Sequence, residues 1–233
     1  MSESPAGVLP AQPAPATSGV RRARPTGWRL FAHWSGILSL MLAAGFAGYV
    51  AWLLWGTGLA TQRSQDQLRQ GWQNVVNTKP PASAPPLAPL GSRYAEIQIP
   101  SIGLDMMVVQ GTEYADLKLG PGHYVDTANP WDATGRVGIA GHRTTYLHPF
   151  FKLDQIHQGD AITIRTEYGT FDYRVNAAPF VVPEAGSGSV LTQTQQPTLV
   201  LTTCNPKYSS YQRLIVTAVR QGVAPATGSA GGV

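Results

Sequence analysis

The pattern of apolar and polar positions divides the 233-residue chain into regions of different character. The stretch 34–55, WSGILSLMLAAGFAGYVAWLLW, runs 22 residues without a charge, and a helix of that length spans a hydrocarbon core of about 30 Å. From 94 to 221 the chain instead shows short apolar runs, several of them alternating at period two and separated by turn residues. Such runs predict β-strands.

The strands predicted in this second region number eight, and two short helical patches fit between them near 113–118 and 149–156. Eight strands in one compact domain without long helices predict an all-β fold, an eight-stranded β-barrel with short helices, preceded by one N-terminal transmembrane helix. Closure of the barrel also removes exposed strand edges. The predicted strands occupy 94–100, 104–111, 137–141, 161–166, 170–177, 179–183, 197–204 and 212–220.

The apolar stretch 34–55 is predicted to be a transmembrane signal anchor. Trp34 lies at one end, and Trp52 and Trp55 lie at the other, as in the aromatic belts of membrane interfaces. A buried core helix is rarely this long without a polar face. A cleaved signal peptide has an apolar region of only about 7–15 residues and a small-residue cleavage site, which is missing here.

Positive charge predicts the orientation of this anchor. Only two arginines follow the span within about 15 residues, so the N-terminus is expected in the cytoplasm and the rest of the chain outside the cell. The doubled arginine 21–22 could instead belong to a twin-arginine export signal, but its flanks lack the rest of that signal. The four arginines that precede the span are Arg21, Arg22, Arg24 and Arg29.

Composition predicts five regions. A disordered basic cytoplasmic tail at 1–33 precedes the anchor at 34–55, and an extracellular stalk and Pro-rich linker follows at 56–93, whose first part, 56–76, can continue as helix. The folded domain covers 94–221, and a disordered tail, 222–233, ends the chain. The net charge of +4 belongs to the first part, because 1–93 carry eight basic and two acidic side chains. Residues 94–233 carry nine basic and eleven acidic ones, which argues against nucleic-acid binding by the folded domain.

The candidate chemistry lies at the ends of predicted strands. Cys204 is the single cysteine, which excludes an internal disulfide and a Cys-rich zinc site. Most lone cysteines are buried and structural, but the threonines before Cys204 suggest the rim of the barrel. His142 follows the strand VGIAG directly, so its ring also emerges at a strand end. Arg213 begins the next strand, nine residues after the cysteine, and can return beside it or be an ordinary solvated arginine. A thiolate needs such a base or cation nearby, and acyl transfer needs donors facing the oxyanion.

Several segments of the folded domain resemble, in order, those of the sortases, the cysteine transpeptidases of Gram-positive bacterial surfaces. The forms AGHRTTY and LTTCNP are most similar to class E sortases of actinobacteria. The matching segments cover nearly all of 94–221 and are IPSIGLDMMVVQG (99–111), LGPGHY (119–124), IAGHR (139–143), PFFKLDQIHQGDAITI (149–164), TLVLTTC (198–204) and YQRLIV (211–216).

The resemblance implies a role for each matching residue. Cys204 is expected to attack the Thr–Gly bond of a C-terminal sorting signal, of LAxTG or LPxTG type, and to form a thioacyl intermediate. His142 is expected to act as the general acid and base, and Arg213 to hold the substrate backbone and stabilise the oxyanion. An amine of a peptidoglycan cross-bridge or of lipid II then resolves the intermediate. Thr203 and Tyr146 are expected to bind substrate.

Two other functions remain open at this stage. The first is a non-catalytic, membrane-anchored β-barrel that binds a wall polymer or a protein partner through a groove. The second is an L,D-transpeptidase, which is disfavoured because the SHGC-type segment of those enzymes is absent around Cys204. No cofactor is expected. No metal is expected either, because the acidic residues form no loop rich enough for calcium, and no aromatic lid of the pilus-building class is visible.

Overall fold

The structure is a computed structural model that describes residues 27–52, 56–76 and 88–222. The predictions for the tail 1–26, for the end of the apolar stretch at 53–55, for the Pro-rich segment 77–87 and for the tail 223–233 lie outside these described residues. The chain divides into two compact units, Met1–Phe46 and Ala47–Val233.

Residues 34–51 of the predicted anchor lie in helix α1 (Gly27–Ala51). Its best 18-residue window has a mean hydropathy of 1.5, and among the described residues it is the one helix long and apolar enough to cross a membrane. None of its residues is buried, and Phe46 is 70% exposed. The helix therefore adds nothing to a protein core. It begins seven residues before Trp34, and which side of a membrane each end faces stays a prediction.

Short strands and turns make up most of the second unit. Four short helices accompany them: a single-turn α-helix, α4 (Tyr114–Leu117), and 3₁₀ helices at Pro100–Ile102, Leu153–Gln155 and Glu184–Leu191. The strands are β1 (Arg93–Ile99), β2 (Leu104–Gln110), β3 (Gly122–His123), β4 (Arg136–Ala140), β5 (Ala161–Thr166), β6 (Gly169–Val175), β7 (Phe180–Pro183), β8 (Thr198–Asn205) and β9 (Gln212–Arg220).

Eight of these strands close into a barrel. Their order around the ring is β6-β5-β1-β2-β3-β4-β8-β9, and the pairing of β6 with β9 completes it. Two neighbouring pairs, β2–β3 and β4–β8, are parallel, while the other pairs are antiparallel. The remaining strand, β7, pairs with the first half of β9, where β6 does not reach.

The predicted eight-stranded barrel is confirmed, although one strand of the ring differs from the prediction. Each of the eight predicted strands exists, with ends that differ by at most two residues. However, β7 lies outside the ring, and the two-residue strand β3 completes it instead. Two residues are too few to show alternation in a sequence, and the parallel β2–β3 pairing joins residues that lie 13 positions apart. The two predicted helical patches correspond to α4 and to the 3₁₀ turn Leu153–Gln155.

Alternating side chains of these strands fill the barrel interior. Each fully buried aliphatic side chain contributes about 1.5–3 kcal/mol relative to an exposed one, so this cluster supplies the main driving force for closing the ring. Phe150, which follows the candidate histidine along the chain, belongs to the same cluster. Its other members include Ile97, Ile99, Ile139, Leu153, Ile162, Ile164, Leu199, Leu201 and Val216.

Helices α2 (Thr57–Arg69) and α3 (Trp72–Val76) pack against the barrel, in a region that the sequence predicted as stalk. The Gln65 side chain hydrogen-bonds both the amide and the carbonyl of Met107 in β2, at 2.8 and 3.0 Å. Trp72 is buried and donates its indole N–H to Glu96 in β1, at 3.1 Å. Much of this contact uses polar groups, so hydropathy does not reveal it. Contacts of helices α2 and α3 with the barrel therefore cross the predicted boundary at residue 93, which stays a prediction.

Candidate active site

The parallel pair β4–β8 brings His142 and Cys204 to the same rim of the barrel. Ala140 lies opposite Thr202 in the register of this pair. Just beyond it, the Gly141 amide donates to the Thr202 carbonyl at 3.1 Å, so the alignment continues. His142 and Cys204 are each two residues further along their strands than the Ala140–Thr202 pair. They therefore lie side by side at this rim of the barrel.

The antiparallel pair β8–β9 places Arg213 directly opposite Cys204. Residues directly opposite in such a pair share one face of the sheet, with Cβ atoms about 4.5–5.5 Å apart. The loop that joins the strands spans six residues, 206–211, and follows a cis peptide bond between Asn205 and Pro206. The three residues that the sequence predicted to act together are thus neighbours on three adjacent strands or strand ends.

Cys204 and Thr203 point to opposite faces of strand β8, because side chains alternate along a strand. Thr203 pairs with the core residue Leu214, is buried, and donates its hydroxyl to the Gly141 carbonyl at 2.7 Å. Its hydroxyl therefore holds the end of β4 just before His142, and Thr203 does not line the cleft described below. Its predicted role in substrate binding stays a prediction. Cys204 lies on the opposite face of the strand as a half-buried, free thiol.

Contacts with the buried residue Phe150 position His142. Its carbonyl accepts a hydrogen bond from the Phe150 amide at 3.1 Å, and the fully buried Phe150 ring packs so closely on Gly141 that a Cβ there would lie 2.6 Å from it. The imidazole Nε2 is buried and has no hydrogen-bond partner among the described residues. Burial lowers the pKa of His142, because an imidazolium loses hydration there. The neutral ring can therefore accept a proton at neutral pH.

His142 and Cys204 line one cleft of about 400 Å³. The segment after the histidine forms one wall, and the loop after the cysteine forms another, where Tyr208 is 76% exposed. A thiol and an imidazole in one open cleft are the two groups that acyl transfer through a thioester requires. The other side chains around it include Arg143, Thr144, Thr145, Ser209 and Ser210.

Arg213 shares the face of Cys204 but does not belong to the cleft lining. Its Nη2 pairs with Glu184 at 3.3 Å, and its Nη1 donates to the carbonyls of Ser210 and Gln212. These contacts hold the guanidinium over the loop 206–211 and the 3₁₀ helix Glu184–Leu191. The side chain is 24% exposed, so it can exchange these partners for a substrate carbonyl without being pulled from the core.

Tyr146 lies against the histidine, outside the cleft lining. Its ring centroid is 4.9 Å from that of His142, and its hydroxyl hydrogen-bonds Tyr114 at 2.8 Å. This hydrogen bond, followed by burial, raises the pKa of Tyr146 to about 12. Tyr146, Leu147 and His148 all have positive φ, a conformation that is uncommon for residues with side chains. The backbone of this loop therefore adopts an uncommon conformation where Tyr146 lies beside His142. Tyr114 was not predicted from the sequence as a site residue.

A buried arginine in the cleft wall was also not predicted from the sequence as a site residue. Arg143 is 3% exposed and pairs with Asp154 at 3.1 Å. Asp154 also binds Lys207 at 3.4 Å, so one carboxylate connects the segment after His142 to the segment after Cys204. The only sequence signal was a charged residue placed directly after the candidate histidine. Among the described residues, no three His, Cys, Asp or Glu side chains gather in a way that could hold a metal ion.

Comparison with known proteins agrees with this geometry. The sequence profile of the Sortase domain matches residues 97–221, more than half of the chain and nearly all of the barrel. Sortase D of Bacillus subtilis is 29% identical over 178 residues, which cover 71% of this chain and 86% of that protein. SrtE1 of Streptomyces coelicolor is 28% identical over 186 residues, which cover 72% of this chain and about half, 51%, of that protein.

Solved sortase structures have the same fold. The Sortase D5 transpeptidase of Clostridium perfringens aligns with a TM-score of 0.55 at 25% identity, covering 69% of this chain and 98% of that one. Sortase E1 of Streptomyces coelicolor, solved with a tripeptide in its active site, aligns with a TM-score of 0.51 at 28% identity, covering 56% of this chain and 88% of that one. The predicted likeness to class E thus has support, while a sortase D is equally similar. The chain belongs to the sortase family of cysteine transpeptidases.

Proposed function

We propose that this enzyme cleaves a C-terminal sorting signal of LAxTG or LPxTG type between Thr and Gly and transfers the protein to a peptidoglycan amine. The observation that carries the proposal is that Cys204 has His142 beside it on the parallel strand side and Arg213 opposite it on the antiparallel side. A nucleophile, a proton carrier and a cation at one rim are what two successive acyl transfers need.

In the first half-reaction His142 accepts the proton of the Cys204 thiol, and the resulting thiolate attacks the threonine carbonyl carbon and forms a C–S bond. The carbonyl oxygen takes up the negative charge, and Arg213 stabilises it after exchanging its Ser210 and Gln212 contacts for the substrate. As the C–N bond breaks, protonated His142 gives its proton to the departing glycine nitrogen. A thioester on Cys204 remains, and the glycine-containing fragment leaves with a free amine.

In the second half-reaction an amine of the peptidoglycan cross-bridge or of lipid II attacks the thioester carbonyl carbon. Neutral His142 accepts the proton that the amine loses, and the C–S bond breaks to restore the thiolate. Burial lowers the pKa of His142 and so favours the neutral ring, which is the form that can accept this proton. The cleft is open, so the second substrate can enter after the first fragment leaves.

Helix α1 is proposed to anchor the enzyme in the cell membrane, with its N-terminus in the cytoplasm and the barrel outside. The length and hydropathy of the helix support the span, and the arginines before it support the orientation. This arrangement places the barrel on the side of the membrane where cross-bridge amines are found.

The test is turnover of a fluorogenic LAxTG peptide by the full-length chain in detergent micelles, with products identified by mass spectrometry. The unchanged enzyme should release the fragment that begins with glycine and, when an amine such as triglycine is added, form the ligated product. Cys204→Ala should reduce both products to background, because the thioester can no longer form.

The matched control is Ser209→Ala, which alters a hydroxyl side chain in the same cleft wall and should leave most turnover intact. Turnover that survives in Cys204→Ala would contradict the proposal. If the unchanged chain binds the peptide tightly and never cleaves it, the function is that of a binding module instead.

A further inference from the structure

Arg143 is a buried charge that the proposed mechanism does not use. It follows His142 directly, lines the same cleft as Cys204, and is 3% exposed. Arginine is almost never so buried without partners that balance its charge. The partners of Arg143 therefore indicate what the charge is for.

Arg143 has one ion-pair partner among the described residues. Its Nη2 pairs with Asp154 at 3.1 Å, while its Nε and Nη1 are buried without a hydrogen-bond partner. An unsatisfied buried donor is unfavourable, and more so when it carries a charge. Burial lowers the pKa of Arg143, and the negative charges of Asp154 and Cys204 raise it. The cysteine is thus one of two groups whose charge favours the guanidinium in this place.

The other basic side chains near Cys204 form ion pairs with acidic residues. Arg213, opposite the cysteine, is held by Glu184 and by backbone carbonyls. Lys207, three residues after Cys204 in the chain, pairs with Asp154 and lies over the Phe151 ring at 4.1 Å. On the histidine side, burial lowers the pKa of His142 and so disfavours its charged form. Arg143 is therefore the buried permanent cation on the side of the cleft from which His142 emerges.

We propose that Arg143 is a positioning residue whose buried positive charge stabilises the Cys204 thiolate in the resting enzyme, with Asp154 holding the guanidinium in place. Nearby cations are the usual means by which proteins keep a cysteine in its reactive form. The two arginines then have separate tasks, since Arg143 acts on the free enzyme and Arg213 acts once substrate is bound. This inference rests on the proposed role of Cys204 as the nucleophile.

A purely structural role is the alternative, because the Arg143–Asp154 pair also ties the segment after His142 to the 3₁₀ turn Leu153–Gln155. The two roles differ in what they require. Stabilising a thiolate requires the positive charge, so Arg143→Lys should retain much of the effect. Tying the two segments requires the planar guanidinium fork, so Arg143→Lys should then fail as badly as Arg143→Gln.

The test measures the rate of alkylation of Cys204 by iodoacetamide, a neutral reagent, from pH 5 to pH 10 in the full-length chain in micelles. Cys204 is the only thiol of the chain, so the readout needs no peptide substrate and does not depend on transpeptidation. In Arg143→Gln the rate at pH 7 should fall about tenfold, since a nearby opposite charge commonly shifts such an equilibrium by that factor or more. The rates should converge near pH 10, where the thiolate forms in every variant.

The controls separate the charge from other effects. Arg143→Lys should stay within about threefold of the unchanged enzyme at pH 7. Lys152→Gln removes the same charge from an exposed position beside the 3₁₀ turn and should change the rate by less than twofold. If Arg143→Gln does not fold, the double variant Arg143→Met, Asp154→Leu replaces the buried pair with apolar groups and is expected to show the same loss at pH 7.

Two results would overturn the inference: an unchanged alkylation rate at pH 7 in a folded, charge-free variant, or an equal loss in the Lys and Gln variants. Neither result depends on peptide cleavage. Failure of this inference is thus distinguishable from failure of the proposed function, which shows as absent cleavage with normal alkylation.

Discussion

Gly141 is the residue through which the core positions His142. A Cβ at this position would lie 2.6 and 2.8 Å from two atoms of the fully buried Phe150 ring. Gly141→Ala should therefore force the ring or the strand end to move, and overpacking of this kind costs typically 1–3 kcal/mol. Urea titration of the full-length chain should show a free energy of unfolding lower by that amount, and peptide cleavage should be slower because His142 shifts.

The control for this prediction is Gly186→Ala in the 3₁₀ helix Glu184–Leu191. No atom lies within 4 Å of a Cβ built there, and its φ is not positive. This variant should match the unchanged protein in stability and activity. A Gly141→Ala variant of normal stability and normal turnover would show that the close packing does not position the histidine.

The residues of the site could be predicted from the sequence to different degrees, for physical reasons. Cys204 and His142 end strongly apolar runs, so their position at a rim follows from strand alternation alone. That they lie side by side depends on the parallel register of β4 with β8, whose paired residues are 62 positions apart in the chain. Local pattern carries no information on such a register. The burial of Arg143 could not be predicted either, because an arginine at a strand end is ordinarily exposed.

At the scale of elements, helix α2 supplies hydrogen bonds to the backbone of β2. The Gln65 amide bonds both the N–H and the carbonyl of Met107, and also the Leu119 carbonyl, at 2.8–3.0 Å. Gln65→Leu keeps the size of the side chain but leaves these buried groups without partners. Each such group costs about 1–3 kcal/mol, so for three groups we expect a loss of at least about 3 kcal/mol in unfolding free energy.

Hydrogen exchange of the Met107 amide is the local measurement for this variant, and it should become faster as the helix separates from the strand. Gln67→Leu provides a matched control, because Gln67 lies two residues away on the same helix and is exposed. Equal stabilities for the two variants would mean that the hydrogen bonds of Gln65 contribute nothing to the stability of the barrel. The dependence on one glutamine also explains why the sequence indicated a stalk: α2 has few apolar residues facing the strand, and its contact is made by polar groups.

For the whole molecule, burial of imidazole rings connects stability to pH. His123 lies between β3 and the turn that follows, stacks on Tyr94 at 4.2 Å, and places Nε2 3.1 Å from the Ala128 carbonyl. It is fully buried, and burial lowers its pKa to about 4. Burial lowers the pKa of His142 as well. The folded chain therefore takes up these protons later than the unfolded chain as the pH falls.

The sign of the effect follows from this difference in proton uptake. Between pH 6.5 and about 4 the unfolded state binds more protons at His123 than the folded state, so stability should fall as the pH falls through this range and should be independent of His123 above it. A difference of about 2.5 pH units corresponds to about 3 kcal/mol. Urea titrations at pH 7.5, 6 and 4.5 should show this decline in the unchanged chain and a flatter profile in His123→Gln. His157→Gln, which alters an exposed histidine, should keep the original slope. If His123→Gln also keeps that slope, the acid sensitivity of the barrel arises from groups other than His123. The carboxylates of the barrel would then be substituted next, beginning with the buried Glu96, which pairs with Arg69 and Arg165.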